Sequence, residues 1–187
     1  MVSSATVLLF RRILMSLLCV LLSGTILAAS TGGLLPFHGT IKGEVTVSLE
    51  GLEVVDGPPA EQISSHLGRG LQYFDELVFE PVIEDGTLTG LKCTGSSRCV
   101  AANGDLLLLA FELAGTFAGP VDLVYRGRFR ILPGGTGRFA FDGSPGELGD
   151  GEIAGAALVF YSHTSLTLVF EHDFQGQIAS VRGWKPS

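Results

Sequence analysis

His172 stands two residues from Phe170 and two from Phe174, and Asp75 shares its parity with Leu71, Tyr73, Leu77 and Phe79. Side chains of one parity share one face of a strand, so both polar groups are expected among apolar neighbours. A buried carboxylate with a raised pKa beside a neutral imidazole could shuttle a proton, which makes Asp75 and His172 the candidate catalytic residues. Each also has a plainer reading: His172 as a core imidazole bonded to a backbone carbonyl, and a bulge near Asp75 that turns it outward. Tyr73 and Tyr125 could offer hydroxyls to a ligand, with Phe170 and Phe174 as the apolar wall around it, or all four could serve as core aromatics.

Arg126, Arg128 and Arg130 form a one-faced cationic stripe, able to grip a carboxylate or phosphate or to pair across strands with Glu171 and Asp173. His38, His66, His163 and His172 are scattered, with no short metal-ligand spacing, so no metal is expected. His66, beside Arg69 in SHLGRG, reads as a turn residue. GGTGRF at 134–139 superficially resembles a phosphate loop but lacks the lysine and following helix that such a site needs. It reads as a tight corner where a side chain would collide with crossing backbone.

These residues sit on elements whose period is two. Phe37, Gly39, Ile41, Gly43, Val45, Val47 and Leu49 alternate with His38, Thr40, Lys42, Glu44, Thr46 and Ser48; Val121, Leu123, Tyr125, Phe129 and Ile131 alternate with Asp122 and the arginine stripe; Leu166, Leu168, Phe170 and Phe174 alternate with Thr167, Glu171, Asp173 and Gln175. That is the pattern of strands with one dry and one wet face. Leu106–Leu113 is apolar on both faces, as for a strand covered on its outer side, for example by another subunit. Turn signals at Asp56–Pro59, Glu84–Gly86, Asn103–Asp105, Gly119–Pro120, Pro133–Gly135 and Gly143–Gly151 separate the runs. Only Ala60–Leu67 could form a short turn of helix. Seven or eight strands at hairpin spacing predict an all-β sandwich or closed antiparallel β-barrel. Glycines inside strands (Gly39, Gly43, Gly127 and Gly176) favour the barrel, because strong bending needs positions without a Cβ.

Arg11–Arg12 precede an uncharged apolar run, Ile13–Ala29, ending in small residues. This predicts a cleaved signal peptide over 1–29 and a single domain over 30–187, hence a secreted or extracytoplasmic protein, with retention as a membrane anchor the alternative. With Cys19 in that segment, Cys93 and Cys99 remain, an even count in an oxidising compartment. They are expected to form a disulfide across the turn-like TGSSR, worth about 2 kcal/mol for so short a loop. The rest of the chain carries 10 basic against 19 acidic residues, a formal charge of −9. An acidic surface repels phosphate and anionic lipid headgroups, so neither nucleic acid nor an anionic membrane surface is expected as a partner. Glycine reaches 26 of 187 residues, about twice the usual ~7%, without the every-third-residue period of collagen.

Three stretches, SHLGRG at 65–70, AANGDLL at 101–107 and GGTGRFA at 134–140, together resemble secreted bacterial proteins of the allene oxide cyclase-like barrel family. GGTGRF is also similar to a stretch of plant dirigent proteins, which share that barrel. The resemblance implies an eight-stranded antiparallel barrel, often trimeric, that binds or guides a hydrophobic small molecule without a cofactor. It carries over no catalytic residue, because the matching motifs are turns and corners. The expected function is therefore a secreted, cofactor-free barrel that binds an apolar or amphipathic small molecule in its interior. The alternatives are an isomerase or cyclase using the same cavity, and a filled barrel that works through self-assembly of its surface.

Overall fold

A computed structural model describes residues 33–179. They form one antiparallel sheet: β1 (Leu35–Ser48), β2 (Val54–Asp56), β3 (Ala60–Ser64), β4 (Gly68–Glu84), β5 (Thr87–Ala101), β6 (Leu106–Phe117), β7 (Asp122–Ile131), β8 (Asp150–Tyr161) and β9 (Ser165–Ile178). The spatial order is β2-β1-β3-β4-β5-β6-β7-β8-β9, and a further pairing of β1 with β9 closes the sheet into a ring. That closure is long, running from Leu35 opposite Ile178 to Ser48 opposite Ser165. The period-two pattern dictates what it encloses. Phe37, Ile41, Val45 and Val47 of β1 and Leu166, Leu168, Phe174 and Ile178 of β9 are buried, while the intervening Lys42, Glu171 and Asp173 are exposed. Each fully buried Leu, Ile, Val or Phe contributes on the order of 1.5–3 kcal/mol, so the dry interior selects the register.

The turn residues act where their chemistry requires. Asp85 and Gly86, at φ 49° and 78°, connect β4 to β5, a pair of positive-φ positions matched to the twist of a hairpin. Asn103 Oδ1 accepts the Asp105 N–H at 3.1 Å between β5 and β6. No helix among the described residues is long and apolar enough to cross a membrane. The expected signal segment, 1–29, lies outside the described residues.

Two sequence expectations are overturned here. Ala60–Ser64 is the strand β3, not a turn of helix: Ala60, Gln62 and Ser64 point inward at strand spacing. TGSSR is not a turn either, but the middle of β5, paired on one side with β4 and on the other with β6. Gly and Ser are poor strand formers, yet hydrogen bonding along both edges overrides that local preference. Cys93 and Cys99 are consequently free, six residues apart on one strand. That spacing puts them roughly 20 Å apart at strand rise, against the 7 Å limit for a disulfide.

The ring is unequal around its circumference. β3 pairs with Gly39–Lys42 of β1 and with Gly68–Gln72 of β4. It stops at Ala60 because Pro58 and Pro59 before it have no N–H to donate. From Tyr73 to Glu84, β4 is in register with β5 alone among the described residues. Pro81 lies in that stretch, where an edge strand tolerates it.

One end of the ring is plugged. The chain between β7 and β8 folds back as a 3-10 turn, Gly137–Phe139, and a short helix α1, Pro145–Leu148. Phe139, Phe141 and Leu148 are buried there, with Leu67 from the β3–β4 turn. Gly135, at φ 80°, leaves room for the Leu106 and Phe139 carbonyls, which a Cβ would meet. The Arg138 guanidinium donates to the Asp105 carboxylate at 2.8 Å, and Thr136 Oγ1 accepts the Leu106 N–H at 3.1 Å. AANGDLL and GGTGRFA are thus locked together. The same fold-back explains the two-sided apolarity of β6. Leu132 and Thr136 donate to the Leu108 and Leu106 carbonyls, and Gly134 lies against the Leu108 side chain, so the chain itself supplies cover at that end of the strand.

Candidate functional site

Inward side chains of the ring leave an internal cavity of about 90 Å³. Its wall is aromatic and aliphatic. Phe74 meets Phe111 and Phe170 edge to face at 6.1 and 6.0 Å, and Phe170 in turn stacks on the His172 ring at 5.7 Å. The deep side is buried, with Phe174 against Phe37 and Phe129 at 4.9 and 5.8 Å. Phe74, Leu77, Phe79, Cys93, Phe111 and Phe170 are only half-buried, so the cavity approaches solvent on the side where β4 has its unpaired edge.

One polar feature facing this wall is a pair. Tyr125 Oη and His172 Nδ1 are 2.9 Å apart, although β7 and β9 are not neighbours. Gly155 of β8 is in register with both residues, and a Cβ on it would run into His172 Cβ. A glycine at that one position lets tyrosine and histidine meet over the intervening strand. Burial lowers the His172 pKa to about 4, opposed by the nearby Asp173 charge. Burial first, then the neighbouring Cys93 and Glu171 side chains in their ionised forms, raises the Tyr125 hydroxyl well above its ordinary value. Both are neutral at pH 7. In either imidazole tautomer such a neutral pair keeps one donor and one acceptor for a third group.

Of the residues singled out from the sequence, His172, Tyr125, Phe170 and Phe174 line the cavity, and Tyr73 and Asp75 do not. The register shifts between Phe74 and Glu76. This bulge leaves Asp75 as the extra residue and passes the inward position from Gln72 and Phe74 to Leu77 and Phe79. Asp75 faces outward and pairs with Arg98 at 2.7 Å. Tyr73 lies beside it, its ring 5.7 Å from the Arg98 guanidinium. The proposed Asp75–His172 couple does not exist, and Tyr73 offers nothing to the interior.

The arginine stripe is external, and its neighbours differ from those expected. Arg128 stands opposite Glu112 and Glu152, and Arg130 opposite Asp150. Glu171 instead pairs with Lys42 at 2.8 Å, and Asp173 accepts from Thr40. His66 Nε2 lies 2.7 Å from the Pro36 carbonyl, tying the β3–β4 turn to β1. Cys93 faces the cavity with its thiol pushed up to about 12 by burial, so it is not a thiolate nucleophile at neutral pH. Among the described residues no group of three or more His, Cys, Asp or Glu could hold a metal ion.

Parity reading missed an interior polar cluster: Gln62, Ser64, Gln72 and Ser97 are all buried. Gln72 shares the parity of Phe74, a signal that was available but was cut off by the bulge at Asp75. Ser97 was concealed inside TGSSR.

Compared with protein-family models, curated proteins and solved structures, the chain finds no match. The resemblance to allene oxide cyclase-like proteins therefore rests on the three sequence stretches alone.

Proposed function

We propose that this chain is a secreted β-barrel that binds a small apolar or amphipathic molecule in its interior, without a cofactor. The observation that carries this reading is the cavity with a few neutral polar groups, Tyr125, His172 and Gln72, in a largely apolar wall, the usual composition of a small-molecule site. Its size bounds the guest. A dry apolar cavity of roughly 150 Å³ accepts benzene, so about 90 Å³ suits a short chain, or a single ring once a half-buried wall residue such as Phe74 gives way. Drug-sized guests of the ~300 Å³ class do not fit without larger opening.

The electrostatics favour binding over an isomerase or cyclase that works by proton transfer. A general base works best with a pKa near the operating pH, and His172, at about 4, is far below it, while Tyr125 is far above. The pair is suited to orienting a guest by hydrogen bonds. Toluene titrated into the purified protein is expected to raise its melting temperature by a few degrees, following the usual linkage of ligand to stability. Ala157→Leu, which fills the cavity from a buried wall position, is expected to abolish that response. A melting temperature indifferent to toluene in the unmodified protein would remove the reading.

A second reading, self-assembly, draws on the outer face. Val124, Leu158, Phe160 and Val169 are 50%, 48%, 55% and 40% exposed, and Leu158 and Val169 are direct cross-strand neighbours. An apolar patch of this kind marks an interaction surface. Sedimentation of the unmodified protein and of Phe160→Lys tests it, with a monomer in both cases as the contrary result.

A further inference from the structure

Gln72 is 3% exposed and Gln62 2% exposed, on adjacent strands whose register sets Gln72 opposite Ala60 and Gln62 opposite Gly70. Gln72 Nε2 donates to Ser97 Oγ at 2.8 Å and Gln62 Nε2 to Ser64 Oγ at 3.3 Å. Neither amide oxygen has a hydrogen-bond partner. Native interiors rarely leave such groups unpaired. Turning the Gln72 amide over does not cure this, because Ser97 would then donate to Oε1 and Nε2 would be the orphan. Gln72 also lines the cavity. The wall therefore contains one amide whose unpaired oxygen is covered and reaches a guest once the side chain turns toward the cavity, in addition to the Tyr125–His172 pair.

We infer that the guest of this cavity carries a hydroxyl group that hydrogen-bonds to the Gln72 side-chain amide. A hydroxyl both donates and accepts, so it satisfies the amide in the orientation found and in the reverse one. The inference rests on the interior-binding reading above and narrows its ligand class to small alcohols or phenols with an apolar body.

Phenol and toluene have the same number of heavy atoms and differ at one position, hydroxyl against methyl, so their affinities isolate the polar contact. Titration calorimetry of both with the unmodified protein and with Gln72→Met, which keeps side-chain length and removes the amide, is the test. The ratio of phenol to toluene affinity is expected to fall about five- to tenfold in the variant, the range for one neutral hydrogen bond, with toluene binding retained as evidence that the variant folds. A second measurement needs no variant: the side-chain amide NMR signals of Gln72 are expected to shift with phenol and not with toluene. Toluene binding with an unchanged ratio and unmoved Gln72 signals would overturn the inference while leaving the interior-binding reading intact. Failure of both molecules to bind the unmodified protein would overturn both.

Discussion

The plugged end and the β4 side of the ring are made of similar residues arranged to opposite effect. At the plugged end Phe139 and Phe141 are 1% and 8% exposed, glycines at positive φ let the backbone fold tightly, and Asp105 and Arg138 tie two loops together. On the β4 side, Phe74, Leu77 and Phe79 face inward yet stay half-buried, beside a strand edge that lost its partner when Pro58–Pro59 ended β3. The difference lies in backbone closure. Where every strand edge is paired and a loop folds over the top, aromatics pack a core. Where one edge is left open, the same aromatics border a cavity.

The largest effect that would sharpen this contrast is on stability. Phe139→Ala is expected to cost about 3–5 kcal/mol, as for a fully buried aromatic, and Phe79→Ala less than half of that, because its side chain is already partly in water. Urea denaturation of the two variants measures both. Comparable losses would mean that the β4 side is as tightly packed as the plug.

Acid titration probes the polar pair. The folded-state pKa of His172, about 4, lies below the ordinary 6.5, so the unfolded chain binds the extra proton first. The resulting stability is fully present above pH 6.5 and is lost as pH falls towards 4, by roughly 3 kcal/mol in all. His172→Leu is expected to flatten this slope between pH 6.5 and 4. A slope unchanged in the variant would place the titrating group elsewhere.

Gly155→Ala comes next. Its new methyl displaces His172 and separates it from Tyr125, at about 1–3 kcal/mol by the usual cost of overpacking. Loss of coupling between the Tyr125 and His172 NMR signals reports the separation directly. Arg138→Ala is expected to cost the least, under about 1 kcal/mol, because its pair with Asp105 is partly exposed and such pairs are weak. Equilibrium denaturation at low and high salt checks that ranking.

Much of the ring was legible in the sequence because alternation is a local signal. Phe37–Val47 and Leu166–Phe174 each name the buried face of a strand without knowledge of its neighbours. What was not legible was set by neighbours. TGSSR forms strand only because β4 and β6 flank it, and Asp75 turns outward only because a bulge adds one residue to β4. Parity placed His172, Tyr125, Phe170 and Phe174 inward, where they lie, but the meeting of Tyr125 with His172 depends on Gly155 in a third strand. The glycines first read as bending points included no hint of that role. Gln72 was hidden by the same bulge that misplaced Asp75.

The central claim is that the ring encloses a space that a small apolar molecule can enter. Crystals pressurised with xenon, which fills dry apolar cavities, give the most direct measurement. A xenon peak is expected inside the ring, in contact with Phe74, Phe111, Phe170 and Tyr125. Xenon bound only on the outer face, or not at all, would contradict it.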